Sequence, residues 1–399
     1  MNRSTFVGRS FLSLALCAVF LMLPAPREAT AQAADDLRLF GFFQAQYRYS
    51  QEEGLNSPDR MSSFSVQQLN AFLAKEFNPT FSAFVGAELT NTFSTQDGWG
   101  TLRLEEAWVR YNRSSALNVK AGLLVPSFNN LNEIKNRTPL LPYVFRPFAY
   151  ETTFSTVLNI DALVPEQAYV QVYGALPAGK VRFDYAAYVG NSESNYVAKT
   201  AVGTVTAGLD TTTSKMVGGR VGLRWRSLKA GVSGTLDKQL VDVVEVNDVR
   251  IPIGLGDADR GRLGADVSFY LGRFYAEAEA IRVFNRLDDE QQARLDFLAN
   301  SPQSPLNGFL TGELDLSFYY ALLGYNVTDQ LFAYAAYDFF KDGSNAVLVE
   351  GFDAYTVGVS YRPIDQVVVK TQYVRSDTRE NPLAKVSNDT FFIGVSVSF

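Results

Sequence analysis

The chain has 399 residues, is 47% hydrophobic and 13% aromatic, and carries a formal net charge of −6 at pH 7. With no histidine and a single cysteine, it excludes Ser-His-Asp and Cys-His catalysis, His-containing zinc sites and a disulfide-held fold. The acidic balance argues against a nucleic-acid partner.

Arg3 and Arg9 precede an apolar run over 11–23, Pro24 and Pro26 follow it, and Ala31-Gln32-Ala33 supplies small residues at an A-x-A spacing. This pattern predicts a cleaved signal peptide over 1–33, with 34–399 as the remaining domain. Cys17 lies in the apolar run and leaves with it. A lipoprotein role for Cys17 is disfavoured because Leu16 stands where a small residue is needed. Beyond this run no apolar stretch approaches the about 20 residues of a membrane helix. Helical periodicity appears only near 288–298.

Alternation at period two dominates instead. The first predicted strand, 39–49, sets Leu39, Phe43, Ala45, Tyr47 and Tyr49 against Gln44, Gln46 and Arg48. A second covers 66–77. The turn at Asn78-Pro79-Thr80 leads to 81–89, where Phe81, Ala83, Val85, Ala87 and Leu89 oppose Ser82, Gly86 and Glu88. In 102–112, Ala107, Val109 and Tyr111 oppose Glu106, Trp108 and Arg110; in 117–124, Val119, Ala121 and Leu123 oppose Lys120 and Gly122. After a long interruption, 125–165, the predicted strands come in close pairs: 167–175 with 181–190, 217–226 with 228–236, 263–271 with 274–283, 319–327 with 331–340, and 355–362 with 367–375. The last strand, 389–399, places Phe391, Ile393, Val395, Val397 and Phe399 on one face and Phe392, Gly394, Ser396 and Ser398 on the other.

The expected fold is therefore all-β, a transmembrane antiparallel barrel of about 16 strands. The connections support this more strongly than the count does. Every second one is a tight turn, and the others are long and polar, as the two ends of an outer-membrane barrel require. Closure removes the exposed edges that so many strands would otherwise leave. Charges confined to one parity would face the lumen; facing lipid, each would cost about 2–4 kcal/mol near the midplane.

The interruption at 125–165 is the third long connection, and it is aromatic and apolar as well as charged. It is expected to fold inward and narrow a pore, with Lys135, Arg137 and Arg146 set against Glu133 and Glu151; the alternative is a cap on the rim. Parity lists the lumen wall. Its basic residues are Arg48, Arg110, Lys120, Arg182, Arg220, Arg224, Arg262, Arg362 and Lys370. Its acidic residues are Glu88, Glu106, Asp184, Asp266, Glu277, Glu279 and Asp338. Each has a plainer alternative, a cross-strand ion pair that stiffens the wall. Arg110 and Lys120, on adjacent strands beside the long connection, rank first. Asp257-Ala-Asp259 and Asp288-Asp-Glu290 lack calcium-loop spacing, and no metal or other cofactor is expected. Ala276, Ala278 and Ala280 give one outward face small side chains.

Leu104-Glu-Glu-Ala-Trp-Val-Arg-Tyr111, followed by Leu117-Asn-Val-Lys-Ala-Gly-Leu-Leu-Val-Pro-Ser-Phe128, resembles the phosphate-selective porin superfamily, in which an Ala-aromatic-Val strand precedes a Lys/Arg-x-Gly strand. The chain departs from the pattern at Pro126-Ser-Phe128, where Pro-Phe-Gly is usual, and lacks a dense ladder of inward arginines and lysines. The resemblance implies an outer-membrane porin with inward loops, commonly a homotrimer. Its partners would be outer-membrane lipid and lipopolysaccharide, small solutes, and the barrel-assembly machinery that recognises an aromatic last residue such as Phe399.

The expected function is a passive channel for small hydrophilic solutes or ions, anion-selective if Arg110 and Lys120 govern the constriction and cation-selective if Glu106 and Glu133 do. The alternatives are a substrate-specific channel and a structural or adhesive barrel plugged by Trp108, Phe332 and Tyr334. An outer-membrane hydrolase is disfavoured, since barrel lipases and proteases resemble one another in using a histidine and this chain has none; a Ser-Lys arrangement is the form left open to it.

Overall fold

The computed structural model describes residues 37–53, 60–90, 101–151, 163–192, 210, 212, 214–240, 243–246, 249–252, 254–304, 307, 314–343, 351–379 and 387–399. The expected signal peptide lies outside the described residues, as do residues 152–162 of the long connection.

The first nine strands are β1 (Leu37–Glu53), β2 (Arg60–Glu76), β3 (Phe81–Thr90), β4 (Thr101–Ser114), β5 (Leu117–Leu124), β6 (Ala168–Ala178), β7 (Val181–Asn191), β8 (Lys215–Trp225) and β9 (Leu228–Leu240). A separate two-stranded hairpin follows, β10 (Val243–Val246) with β11 (Val249–Pro252). The remaining strands are β12 (Asp257–Leu271), β13 (Phe274–Arg286), β14 (Leu316–Asn326), β15 (Leu331–Asp342), β16 (Gly351–Ile364), β17 (Val367–Arg379) and β18 (Ser387–Ser398). Sixteen of them form one closed barrel in which each strand pairs with its neighbours in sequence, apart from the excluded hairpin. Closure is made by β1 against antiparallel β18, from Phe42 opposite Ser398 to Glu53 opposite Ser387. No edge is left unpaired, which is the condition for a sheet to stand in hydrocarbon.

Side-chain parity gives the wall two solvents. On β18, Phe391, Ile393 and Val395 are exposed while Phe392 and Ser396 are buried. On β14, Tyr319, Leu323 and Tyr325 are exposed while Phe318, Tyr320 and Leu322 are buried. Exposed apolar residues at alternate positions in strand after strand form a band suited to lipid rather than water. Aromatic pairs border it at two levels. Phe81 meets Tyr111 and Phe274 meets Tyr325 near the short turns, with ring centroids 5.2 and 4.8 Å apart. Tyr319 meets Phe339 and Tyr337 meets Tyr355 near the long connections, at 5.7 and 5.2 Å. Among the described residues no helix is long and apolar enough to cross a membrane; the crossing elements are strands.

The alternation of connections is as expected. Two-residue turns at Ser115-Ala116, Gly179-Lys180, Arg226-Ser227, Gly272-Arg273 and Asp365-Gln366 lie at one end, and the longer connections lie at the other. Two differences have physical causes. β2 and β12 begin about six residues before their apolar alternation does, because strand pairing continues past the lipid band, where an outward polar residue meets water. The stretch predicted as helical is α1 (Asp289–Asn300), whose capping box uses the Asp288 carboxylate on the Gln291 N–H and the Gln291 side chain on the Asp288 N–H. That assigns part of the Asp288-Asp-Glu290 cluster to a helix start.

Leu323 is 69% exposed, between the outward Tyr319 and Tyr325. Leu323→Arg should lower barrel stability by about 2–4 kcal/mol, read as a shifted urea midpoint for the protein refolded into lipid vesicles. Arginine at exposed Arg282, near the long-connection end of β13, is already tolerated.

Candidate functional site

The segment between β5 and β6 leaves the wall at Leu124 and is pinned near its base by Asn132. The Asn132 Nδ2 donates to the carbonyls of Pro126 (2.9 Å) and Pro165 (3.1 Å), tying the two legs together. Its backbone lacks strand partners, so its polar groups need others, and wall side chains supply them. Gln171 accepts from the Ser127 N–H at 3.1 Å, and Ser233 from that of Asn129 at 2.9 Å. Glu279 accepts from Asn130 N–H (3.0 Å), Leu131 N–H (2.8 Å) and the Tyr150 hydroxyl. Asp338 accepts from Phe148 N–H at 3.2 Å, and Gln372 from Val144 and Phe145 N–H at 2.8 Å each. Lys370 does the converse: its ammonium donates to the carbonyls of Thr138, Pro139 and Tyr143 at 2.9, 3.1 and 3.2 Å, and to Gln44 at 2.9 Å. Carboxylates on β13 and β15 thus serve amide donors, and a lysine on β17 serves carbonyls.

Apolar packing follows the same plan. Phe128, Leu131, Tyr143, Val144, Phe148 and Tyr150 of the segment share a buried cluster with wall residues from β13 to β18, including Ile281, Phe318, Phe340, Phe352 and Phe392. Backbone shape makes room for it. A Cβ at Gly264 on β12 would collide with the Asn129 side chain, which sits in a turn with φ of 52°. At Gly122, φ is 128° and a Cβ would strike the Ala107 carbonyl, so the Lys-x-Gly element of β5 needs its glycine.

The five residues expected at a constriction divide into two groups. Glu133 and Arg137 are exposed and stand within electrostatic reach of Lys120; Glu133 also acts on Lys229. Lys135, Arg146 and Glu151 line a small cavity of about 70 Å³ with Glu88, Arg103, Glu105 and Glu166. There Arg146 pairs with Glu151 at 3.5 Å and donates to the Lys135 carbonyl at 3.0 Å.

The expected wall residues divide as well. Arg110 and Lys120 are direct cross-strand partners. Arg110 donates to Ser82 Oγ at 3.1 Å, and Lys120 lies 4.5 Å from the Trp108 ring centroid and 5.4 Å from that of Tyr173. Glu106 accepts from the Trp108 indole at 3.2 Å. Arg224 and Arg182 face each other across β8 and β7 with Asp184 between them, and both stay about half exposed. Three of the expected wall residues are paired or covered. Arg220 is held in a fork by Asp266, the closest approach 2.5 Å, and is nearly buried. Arg262 is fully buried with Arg260 against Asp237, at 3.1 and 2.5 Å. Lys370 is fully buried beneath the segment. Arg220 and Arg262 thus form cross-strand ion pairs, and Lys370 bonds the segment.

The sequence-derived wall list lacks Glu105, Asp237 and Gln372. A signal for Glu105 was present: Leu102 and Leu104 are exposed at even positions and Val109 at an odd one. The parity switch marks a bulge, seen where Gly86 faces Glu106 but Ala87 faces Leu104. Glu105 is the extra residue, and it accepts from Asn70 at 3.0 Å.

With the geometry described, comparison with known proteins adds the fold's relatives. No family model and no curated protein matches the sequence. Solved structures do match. The outer-membrane channel DcaP of Acinetobacter baumannii is 14% identical with a TM-score of 0.60, over 93% of this chain and 100% of that one. The anion-selective porin from Comamonas acidovorans is 13% identical with a TM-score of 0.57, over 91% and 99%. OprB of Pseudomonas putida is 9% identical with a TM-score of 0.57, over 91% and 94%. At such identities the likeness is one of fold. The chain is a closed sixteen-stranded barrel of the outer-membrane porin type, an architecture that points to an integral outer-membrane protein.

Lys370→Met would leave three segment carbonyls without their donor, a cost of about 1–3 kcal/mol for each buried group left unmade. Amide hydrogen exchange across 138–145 should accelerate at least about tenfold, with the barrel strands unchanged. A separate variant, Gly264→Val, should loosen the turn at Asn129 and raise protease cutting near it.

Proposed function

We propose that the protein is a passive channel of the bacterial outer membrane for small hydrophilic solutes, with a preference for anions, and is not an enzyme. On this reading residues 1–33 are removed on export, the long connections face the exterior and the short turns the periplasm. The segment within 125–165 turns into the lumen as its constriction. The hydrogen bonds from Glu279, Asp338, Lys370 and Gln372 to its backbone support that placement, because those side chains share the parity opposite to the exposed apolar band. Lipid and lipopolysaccharide surround the barrel, the assembly machinery inserts it, and three copies associate, as the resemblance to the phosphate-selective porins implies.

One observation carries the anion preference. The acidic wall is covered: Asp266, Glu277, Glu279 and Asp338 are all at most 8% exposed. Apart from the paired Arg220, the expected wall charges that are not buried are Arg48, Arg110, Lys120, Arg182, Arg224 and Arg362, which outnumber Glu88, Glu106 and Asp184. Net charge over the whole chain counts external loops; the field at a constriction is set by the groups that line it.

In planar bilayers under a KCl gradient, the protein should open to a defined level with a reversal potential on the anion side. Arg110→Glu with Lys120→Glu should move that potential to the cation side. Cation preference in the unaltered protein would overturn the selectivity. The apolar packing beneath the segment favours a second reading, a plugged structural barrel, and a folded barrel that inserts but conducts nothing would establish it in place of the channel.

A further inference from the structure

Beneath the segment, at the short-turn end of the barrel, lies a second cavity of about 400 Å³. This is the size of a small-molecule site, and it is separate from the Arg110–Lys120 wall. Its roof is the segment, with Leu131, Ile134 and Tyr143; its sides are Tyr275, Phe332 and Glu277 from β13 and β15. The rings are arranged as a wall: Tyr270 and Tyr275 centroids stand 4.5 Å apart, and Tyr275 and Phe332 centroids 6.4 Å apart.

Glu277 is the chemical centre. The Tyr275 hydroxyl donates to one of its oxygens at 2.5 Å and the Tyr320 hydroxyl to the other at 2.9 Å. These bonds fix the carboxylate and leave each oxygen a further lone pair. Among the described residues no lysine or arginine forms an ion pair with Glu277; Lys229, bonded to Asn130 and outside the cavity lining, acts on it from a distance. Arg362 and Asp329 also line the cavity and offset each other, so the carboxylate gives the site its sign. An oriented carboxylate beside aromatic faces, under an apolar roof, recognises an ammonium group carried on an apolar body.

We propose that this cavity binds a small monovalent organic cation, its ammonium on Glu277 and its apolar body against Tyr143, Tyr275 and Phe332. The site is independent of whether the barrel conducts, and its test reads binding alone.

Isothermal titration of the folded, detergent-solubilised barrel would use 2-phenylethylammonium chloride and its neutral counterpart 2-phenylethanol. Saturable binding of the ammonium is expected, with the alcohol at least about tenfold weaker. Glu277→Gln should abolish that difference, and Phe332→Ala should weaken both ligands; Asp296→Asn, on the exposed helix α1, should change neither. Failure of the ammonium to saturate would overturn the proposal, as would equal affinity for the two ligands on the unaltered protein. That comparison needs no variant to fold. Undiminished ammonium preference in Glu277→Gln, with barrel folding verified by heat-modifiable gel mobility, would overturn the role of the carboxylate.

Discussion

Hydrocarbon offers a polypeptide no hydrogen bonds, and that constraint orders the molecule. Each backbone N–H and C=O of a crossing strand must find its partner in another strand, and the last strand must return to the first. Pairing of β1 with β18 meets the condition, and the other features of the wall follow from it. Once the ring is closed, every residue has only two addresses, lipid or interior, and the pleat assigns them alternately. The exposed Leu323 and buried Leu322 are the same side chain on either side of that boundary.

The same accounting recurs inside. The segment after β5 is irregular, so its amides and carbonyls cannot pair within it, and on the proposed reading it lies where water is scarce. Non-helical backbone at such a depth persists only where protein takes the place of solvent. Here the substitutes are side chains: Glu279 and Asp338 for donors, Lys370 for acceptors, and Gln372 for both. Charges that a reading by parity assigns to solute recognition are therefore divided between two tasks. Those under the segment bond it, and those on β4, β5, β7 and β8 are not covered by it.

Local rules of alternation and turn chemistry made the barrel legible in the sequence. The count of strands, the long–short rhythm of connections and the pairing of Arg110 with Lys120 need only neighbouring strands. Parity also placed Lys370 and Arg262 on the inner face. It carried no information on whether another part of the chain covers them. Lys370 meets Thr138 from 232 positions away in sequence, and no pattern within a strand encodes that meeting. Glu105 is a different case, because the bulge was written in the switch from Leu102 and Leu104 to Val109, and a strict period-two reading passed over it. The resemblance around 104–128 and the low-identity structural relatives agree on architecture, while selectivity rests on a few side chains that fold similarity does not specify.

The partners that hold the segment come from β1, β2, β6, β9, β13, β15 and β17, and the strand that closes the ring is the last in the chain. Its docking site is assembled from pieces that are complete only near the end of folding. Contacts so distant in sequence bring no gain until the intervening loop has been closed. The segment's full set of partners therefore exists only once the strands that carry them have been brought together. Lys370 and Glu279 thus tie distant parts of the chain into one interior rather than stiffening a single strand pair.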